Sequence, residues 1–355
     1  MTFHEPQLQA LRRPRRCLAL VPIGLSLALA ACGSSTGGRI TAVGVAKPAR
    51  WTATAHIHRV LDLTSPRRDG SIAVAAAGRL RLLRIGSAPQ PFASGPGGYS
   101  NPGGEEPYIV LSTSARAGGP GCTFGPDTVY VLRLRNGPGV TTVDARGRAR
   151  RFVHLPSRGL ESGVAFDDTG RFGHRLLVTA TAGTKTTVYA IDCRGTVTTV
   201  TRDAPKVEGG IVVAPATFGR FAGDLIAPDE NSGRIYAIAP DGRSRLVVNS
   251  GLPHGGDIGV ESEGMVPAHF GPADSALVAD RRTPGNPHPG DDAVLRIGGE
   301  ALTAAGVHPG DLLVATEGGA HTDAIRCASS CRVRHVAEGP SGAHLEGHIV
   351  FAHGG

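Results

Sequence analysis

The stretch GDLIAPDENSGRIYAIAPDG, residues 223–242, has the pattern of two short β-strands joined by a turn. The apolar run Leu225–Ala227 is followed by the turn-forming residues Asp229–Gly233 and then by the alternating segment Arg234–Ile238. A second turn, Pro240–Gly242, ends the unit. If this hairpin recurs at a fixed period, that period indicates the architecture.

The hairpin does recur along the chain. Phe-Gly pairs at residues 124, 172, 218 and 270 precede similar hairpins, and they are spaced by 48, 46 and 52 residues. Each unit holds four short alternating segments separated by turns. Four strands in about 40–50 residues are typical of one blade of a β-propeller.

The ends of the chain extend the count to six. GDLLVATEGG, residues 310–319, repeats the hairpin, and residues 70–93 hold three strands without an inner one. The missing strand is found at Leu345–Phe351. We therefore predict an all-β fold, a six-bladed β-propeller over residues 56–355, whose C-terminal strand completes the N-terminal blade and removes the open sheet edges.

This pattern resembles the six-bladed propellers of the NHL and SMP-30/gluconolactonase group over about residues 56–353. The similar features are the lead-in of Glu-Gly, apolar strand and Pro, and the strands that end in Pro-Asp-Gly. The resemblance implies a metal-dependent lactonase or esterase-type hydrolase as one possible activity. At Glu208–Gly210 the chain departs from the Pro-Asn-Gly of that group.

The N-terminus has the pattern of an export signal, residues 1–31. Arg12–Arg16 is basic, and the apolar stretch Cys17–Ala31 has 15 residues, too few to span a membrane comfortably. It ends in Leu-Ala-Ala before Cys32, which resembles a lipobox of the actinobacterial type of lipoprotein. We predict lipidation at Cys32, a flexible tether over residues 32–55, and anchoring on the extracytoplasmic side of the cell membrane. The alternative is an ordinary signal peptide with a chance cysteine.

Four cysteines remain when Cys17 of the signal segment and the predicted lipidation site Cys32 are set aside. An exported protein meets an oxidising compartment, which favours disulfides. Cys327 and Cys331 are close enough in sequence to close a hairpin loop, and Cys122 and Cys193 are left to pair with each other. Zinc binding is the less favoured alternative for this scattered set.

Acidic residues recur at corresponding positions of the repeats. In a blade, the start of the innermost strand and the end of the second strand lie on the same face, so acids at these positions gather around the channel. At starts of innermost strands we place Glu106, Glu161, Glu208, Glu261, Glu263 and Glu346; at ends of second strands we place Glu230, Asp280 and Glu317. His254 and His344 precede two of these strands and are expected near the same rim.

Such an acidic face suits a hard divalent cation, calcium or magnesium, or a cationic ligand. It also suits a carboxyl group with a raised pKa for acid–base chemistry. The alternative is that each Glu only bonds to the backbone of a neighbouring blade. The net charge of +7 falls to about +4 without the N-terminal segment, and no Lys/Arg-rich block follows, so a nucleic-acid partner is not expected. We expect a ligand- or metal-binding module at the cell envelope, with a small molecule or protein as its ligand.

Overall fold

The computed structural model describes residues 47–101, 107–112, 121–134, 137–157 and 159–354. Strands make up 49% of the chain and helices 3%. The helical elements are α1 (Gly299–Ala304) and a 3₁₀ turn at Gly219–Phe221. Among the described residues, no helix has the length and apolar character needed to cross a membrane.

Sixteen of the strands form four separate antiparallel sheets of four strands each. The first contains β3 (Val60–Pro66), β4 (Ile72–Ala76), β5 (Arg79–Leu83) and β6 (Gln90–Phe92). The second contains β7 (Ile109–Leu111), β8 (Val129–Arg133), β9 (Gly139–Val143) and β10 (Ala149–His154). The third contains β11 (Leu160–Phe166), β12 (Leu176–Ala182), β13 (Lys185–Ile191) and β14 (Val197–Pro205). The fourth contains β15 (Val212–Val213), β16 (Leu225–Asp229), β17 (Arg234–Ile238) and β18 (Ser244–Asn249).

The remaining strands form one nine-stranded sheet with two halves. One half has the order β19 (Val260–Met265), β22 (Leu312–Thr316), β23 (Thr322–Cys327), β24 (Cys331–Glu338) and β1 (Ala49–Arg50). The other has the order β25 (Leu345–His353), β20 (Asp274–Asp280), β21 (Ala293–Gly298) and β2 (Thr52–His56). The halves meet where β19 and β25 run parallel, with Glu263 opposite His348. From β19 onward the chain therefore crosses between the halves three times, to β20 and β21, back to β22–β24, and then to β25.

The innermost strands surround a central channel in the order β3, β7, β11, β15, β19 and β25, and β25 packs beside β3 to close the ring. The hydrophobic core is divided among the spaces between neighbouring sheets. Leu61 and Leu80 of the first sheet, for example, pack with Ile109 and Val131 of the second. Because each sheet buries both faces against its neighbours, the all-β chain forms a β-propeller.

The predicted closure is wrong in its pairing. β25 pairs with Asp274–Asp280 and β19, not with the sheet of residues 70–93. That sheet has its own innermost strand, Val60–Pro66. This strand lacks the leading glutamate of the repeats and carries a polar Asp62 near its start, so the repeat pattern did not reveal it.

The predicted tether also extends too far. Residues 49–50 pair in parallel with Ala337 and Glu338, and residues 52–56 pair with β21. The intervening Trp51 is buried and donates its indole N–H to Thr322. This burial holds both short strands on the propeller.

Both predicted disulfides are confirmed. Cys122–Cys193 connects the loop before β8 with the turn after β13, and so links two neighbouring sheets. Cys327–Cys331 closes the hairpin between β23 and β24.

Candidate functional site

Most of the predicted acids lie at one end of the channel, which we call the acidic face. Glu161, Glu261 and Glu346 each follow the first residue of an innermost strand. Glu230 and Glu317 directly follow second strands, and Asp280 ends one. All six residues are buried, with less than a tenth of their surface exposed. The structure therefore brings the repeated acids together as the strand topology requires.

His344 pairs with two of these carboxylates. Its Nε2 lies 2.7 Å from Glu317 Oε1 and 3.6 Å from Glu346 Oε1. Burial alone would lower the pKa of His344, but its contacts with the two carboxylates outweigh this and raise the pKa to about 10. His344 is therefore a cation at neutral pH and holds its proton between the two acids.

Arg281 supplies a second positive charge to Glu346. Its Nη1 donates to Glu346 Oε1 over 2.8 Å. Burial opposes the ionisation of Glu346, yet His344 and Arg281 together hold its pKa below the usual value. Glu346 is thus an ionised carboxylate whose charge is already compensated.

Glu230, Glu261 and Glu317 form a second group, which we call the carboxylate triad. One oxygen from each lies within 4.8 Å of the others. Tyr108 Oη lies 2.7 Å from Glu261 Oε1, and the backbone N–H of Asp257 donates to Glu230 Oε1 over 2.6 Å. Glu317 Oε2 is buried and has no hydrogen-bond partner among the described residues. An unpartnered buried carboxylate oxygen is unusual in a folded protein and calls for a physical explanation.

The surroundings of the triad raise the pKa values of two of its members. Burial raises the pKa of Glu230 to about 7, and the negative charge of Glu317 adds to the rise. Burial also raises the pKa of Glu317, although its hydrogen bond with His344 opposes this. Because burial is the main cause of both shifts, Glu230 and Glu317 hold their protons more strongly than solvent-exposed carboxyl groups do.

The other predicted acids lie outside the triad. Glu208 is half-buried, 3.7 Å from Lys206 Nζ, and burial raises its pKa. Asp280 accepts the backbone N–H of His344, and burial raises its pKa to about 6. Glu161 is buried but belongs to neither cluster. Glu106 lies outside the described residues.

Glu263 departs most from its expected place on the rim. It is fully buried, and neither of its oxygens makes a hydrogen bond within the described chain. Burial raises the pKa of Glu263 well above the usual range, which favours its protonated form. Glu263 therefore lies inside the wall of the channel and not on its rim. His254, also expected at the rim, is held by the carbonyl of Leu252.

The middle of the channel is filled by a pair that the sequence did not reveal. His348 Nδ1 lies 3.0 Å from Asp62 Oδ2, and His348 Nε2 lies 3.0 Å from the carbonyl oxygen of Val164. Asp62 also accepts the backbone N–H groups of Ile109, Leu63 and His348. Burial opposes charge on His348, but Asp62 outweighs it and raises its pKa. Together the two side chains join strands β3, β7, β11 and β25.

A glycine makes this approach possible. Gly347 has a φ of +70°, and a Cβ at this position would lie 2.2 Å from Asp62 Oδ1. Only glycine accommodates both the left-handed backbone and the close contact. The Asp62–Gly347–His348 arrangement has no counterpart in the repeated Glu motif, and the only sequence signal was a lone aspartate within an apolar strand.

The similarities to known proteins are distant, and each solved structure named below has a TM-score under 0.5. No family model matches the sequence, and no curated protein matches it. A TolB-like protein of Agrobacterium tumefaciens is 11% identical with a TM-score of 0.43, over 83% of this chain and 90% of that one. An inactive virginiamycin B lyase of Staphylococcus aureus, bound to quinupristin, is 14% identical with a TM-score of 0.41, over 73% and 77%. A protein of the gluconolactonase family is 12% identical with a TM-score of 0.34, over 72% and 93%. These proteins are β-propellers.

Proposed function

We propose that this protein is an exported, lipid-anchored β-propeller that binds a divalent cation, calcium or magnesium, at the carboxylate triad and presents it to a ligand at the cell envelope. We count the two halves of the nine-stranded sheet as two blades, which makes six. The observation that carries the proposal is Glu317, which groups with two further buried carboxylates and whose buried Oε2 has no hydrogen-bond partner among the described residues.

The spacing of the triad suits a hard cation. Three atoms that all lie within 4.8 Å of one another are within about 2.8 Å of a common point. Calcium–oxygen bonds measure about 2.3–2.6 Å, so a contraction of a few tenths of an ångström would complete the coordination on this side. Backbone carbonyls, water or the ligand itself would supply the other positions.

The cluster of Glu317, His344 and Glu346 is less suited to a metal than the triad. Its histidine is protonated, and a protonated imidazole nitrogen has no lone pair to offer a metal ion. Arg281 and His344 compensate Glu346, and His344 lies closer still to Glu317, so its positive charge is shared between the two clusters. The two clusters share Glu317, which accepts from His344 through Oε1 and leaves Oε2 for the cation.

Thermal unfolding in EDTA and in calcium or magnesium tests the proposal. A cation at 100 times its dissociation constant should stabilise the folded protein by about 2.7 kcal/mol. In a unit of this size that corresponds to a rise in Tm of about 5 °C. Glu317→Gln should lose most of this response, because the amide oxygen that replaces Oε2 carries no charge.

The matched control is Glu263→Gln, a buried glutamate of β19 that lies outside the triad. It should keep the full response to the cation. A response that survives Glu317→Gln, or one that is lost only in Glu263→Gln, would reject the triad as the site. Isothermal titration with each cation then gives the stoichiometry, for which we expect one ion per chain.

A metal-assisted lactonase or esterase is the second candidate function. The observation that favours it is Glu230, because a carboxyl group with a pKa of about 7 is suited to accept a proton from water near neutral pH. Turnover of simple lactones that disappears in both Glu317→Gln and Glu230→Gln, but persists in Glu263→Gln, would support it. Cation binding without turnover would support the binding function and reject the hydrolase.

A further inference from the structure

The end of the channel opposite the acidic face is an apolar cavity. Its volume is about 300 Å³, and each of the six innermost strands contributes to its wall. We call it the channel cavity; residues that line it include Leu63, Leu111, Phe166, Val213, Met265 and Phe351. None of them was predicted as a site residue, because in the sequence they look like ordinary core positions of the strands.

Four side chains of the lining leave apolar surface accessible inside the channel cavity. Phe166, Val213, Met265 and Phe351 are only half-buried. Elsewhere in the described chain, Leu160 and Leu246 are the large hydrophobic side chains that are exposed, and each stands alone. A concave apolar surface built from six strands is typical of a small-molecule site, whereas single exposed leucines are not.

His348 forms the floor of the cavity. It reaches from β25 to the carbonyl of Val164 in β11, which is three strands away around the ring. Both of its ring nitrogens are engaged, one by Asp62 and one by Val164. The floor therefore separates the cavity from the acidic face and leaves a blind pocket.

Charge and size restrict the occupant. Among the described residues that line the cavity, the ionisable side chains are Asp168 and His348, and His348 is already paired with Asp62, so this part of the lining offers an anion no unpaired cation. A cavity of about 150 Å³ with apolar walls holds benzene. Twice that volume, with backbone groups on the strand edges as hydrogen-bond partners, suits a two-ring molecule with one polar substituent.

We propose that the channel cavity binds a small, uncharged, predominantly aromatic molecule of about the size of naphthalene. This site is distinct from the carboxylate triad and needs no metal ion. Its ligand would enter at the face of the propeller opposite the acidic one.

Saturation-transfer NMR and isothermal titration with 2-naphthol test this proposal on the whole chain. Naphthalene-2-sulfonate, which has the same rings and a negative charge, serves as the matched ligand. We expect 2-naphthol to bind one to one and the sulfonate to bind at least 10-fold more weakly. No detectable binding of 2-naphthol, or equal binding of both compounds, overturns the proposal.

Two variants locate the site. Val213→Phe fills the cavity and should weaken 2-naphthol binding at least 10-fold. Val200→Phe, in the outer strand β14, packs against the same core cluster but does not line the cavity, and should bind within about twofold of the unaltered protein. Ser65→Glu places a charge in the wall without adding bulk to the core, and should also abolish binding if Val213→Phe does not fold. Binding that is unaffected by both lining variants, or equally reduced by Val200→Phe, overturns the assignment.

Discussion

Replacing Asp62 by Ala should destabilise the propeller more than the same replacement at any other buried aspartate. Asp62 is fully buried and accepts three backbone N–H groups, from Ile109, Leu63 and His348, in addition to the His348 ring. Each buried donor left unpaired costs about 1–3 kcal/mol. Removing one partner of a buried ion pair costs about 3–5 kcal/mol. Even at the low end of both ranges the loss exceeds about 5 kcal/mol, a large part of the total stability of a typical domain.

The assay is thermal unfolding followed by circular dichroism, with Asp167→Ala as the control. Asp167 is also a buried aspartate that accepts several N–H groups, but all of them come from residues 169–174 of its own turn. At about 2 °C per kcal/mol, Asp62→Ala should lower Tm by about 10 °C or fail to fold. Asp62→Asn keeps one acceptor oxygen, so its decrease in Tm should lie between those of Asp62→Ala and Asp167→Ala. A decrease of less than about 4 °C for Asp62→Ala, or one no larger than for Asp167→Ala, would refute the view that this side chain joins the strands around the channel.

Two further predictions concern the cation and the membrane. Glu230 must lose its proton for the triad to bind a cation, so calcium affinity by isothermal titration should rise by a factor of about 10 to 30 between pH 5.5 and 7.5. The stability of the cation-free protein should change with pH in the opposite direction. Because the folded-state pKa of Glu230 is raised, its contribution to stability falls as pH rises from about 4.5 to about 7. Glu230→Gln should therefore flatten this part of the plot of Tm against pH. An affinity that is the same at both pH values contradicts the role of Glu230. Cys32→Ala should release the protein from the membrane fraction or block its maturation; unchanged fractionation, with an unmodified Cys32 by mass spectrometry, argues against the anchor.

Much of the acidic face followed from the repeats. Strand topology alone placed Glu261 and Glu346 with Glu230 and Glu317, because the start of an innermost strand and the end of the next strand share a face. Topology does not determine where a side chain points within the strand. Glu263 is only two residues after Glu261, yet it lies inside the wall, since a bulge at Glu261 shifts the register there.

The centre of the channel could not be predicted in the same way. Asp62 and His348 are 286 residues apart, and neither belongs to the repeated Glu motif. Their pairing depends on which strand neighbours which around the ring, and the prediction assigned β25 to the wrong sheet. The exchange of strands between the two halves of the nine-stranded sheet leaves no local signal, because each strand taken alone has the usual alternating pattern.

That exchange has a consequence for how the chain reaches its final state. The nine-stranded sheet needs residues from Ala49 to His353, and no shorter part of the chain contains all its partners. Until β25 is available, both β19 and β20 have an unpaired edge, which is a known route to aggregation. With partners so distant in sequence, the last step should be slow compared with local folding. Propeller assembly is therefore complete only when β25 takes its place between β19 and β20.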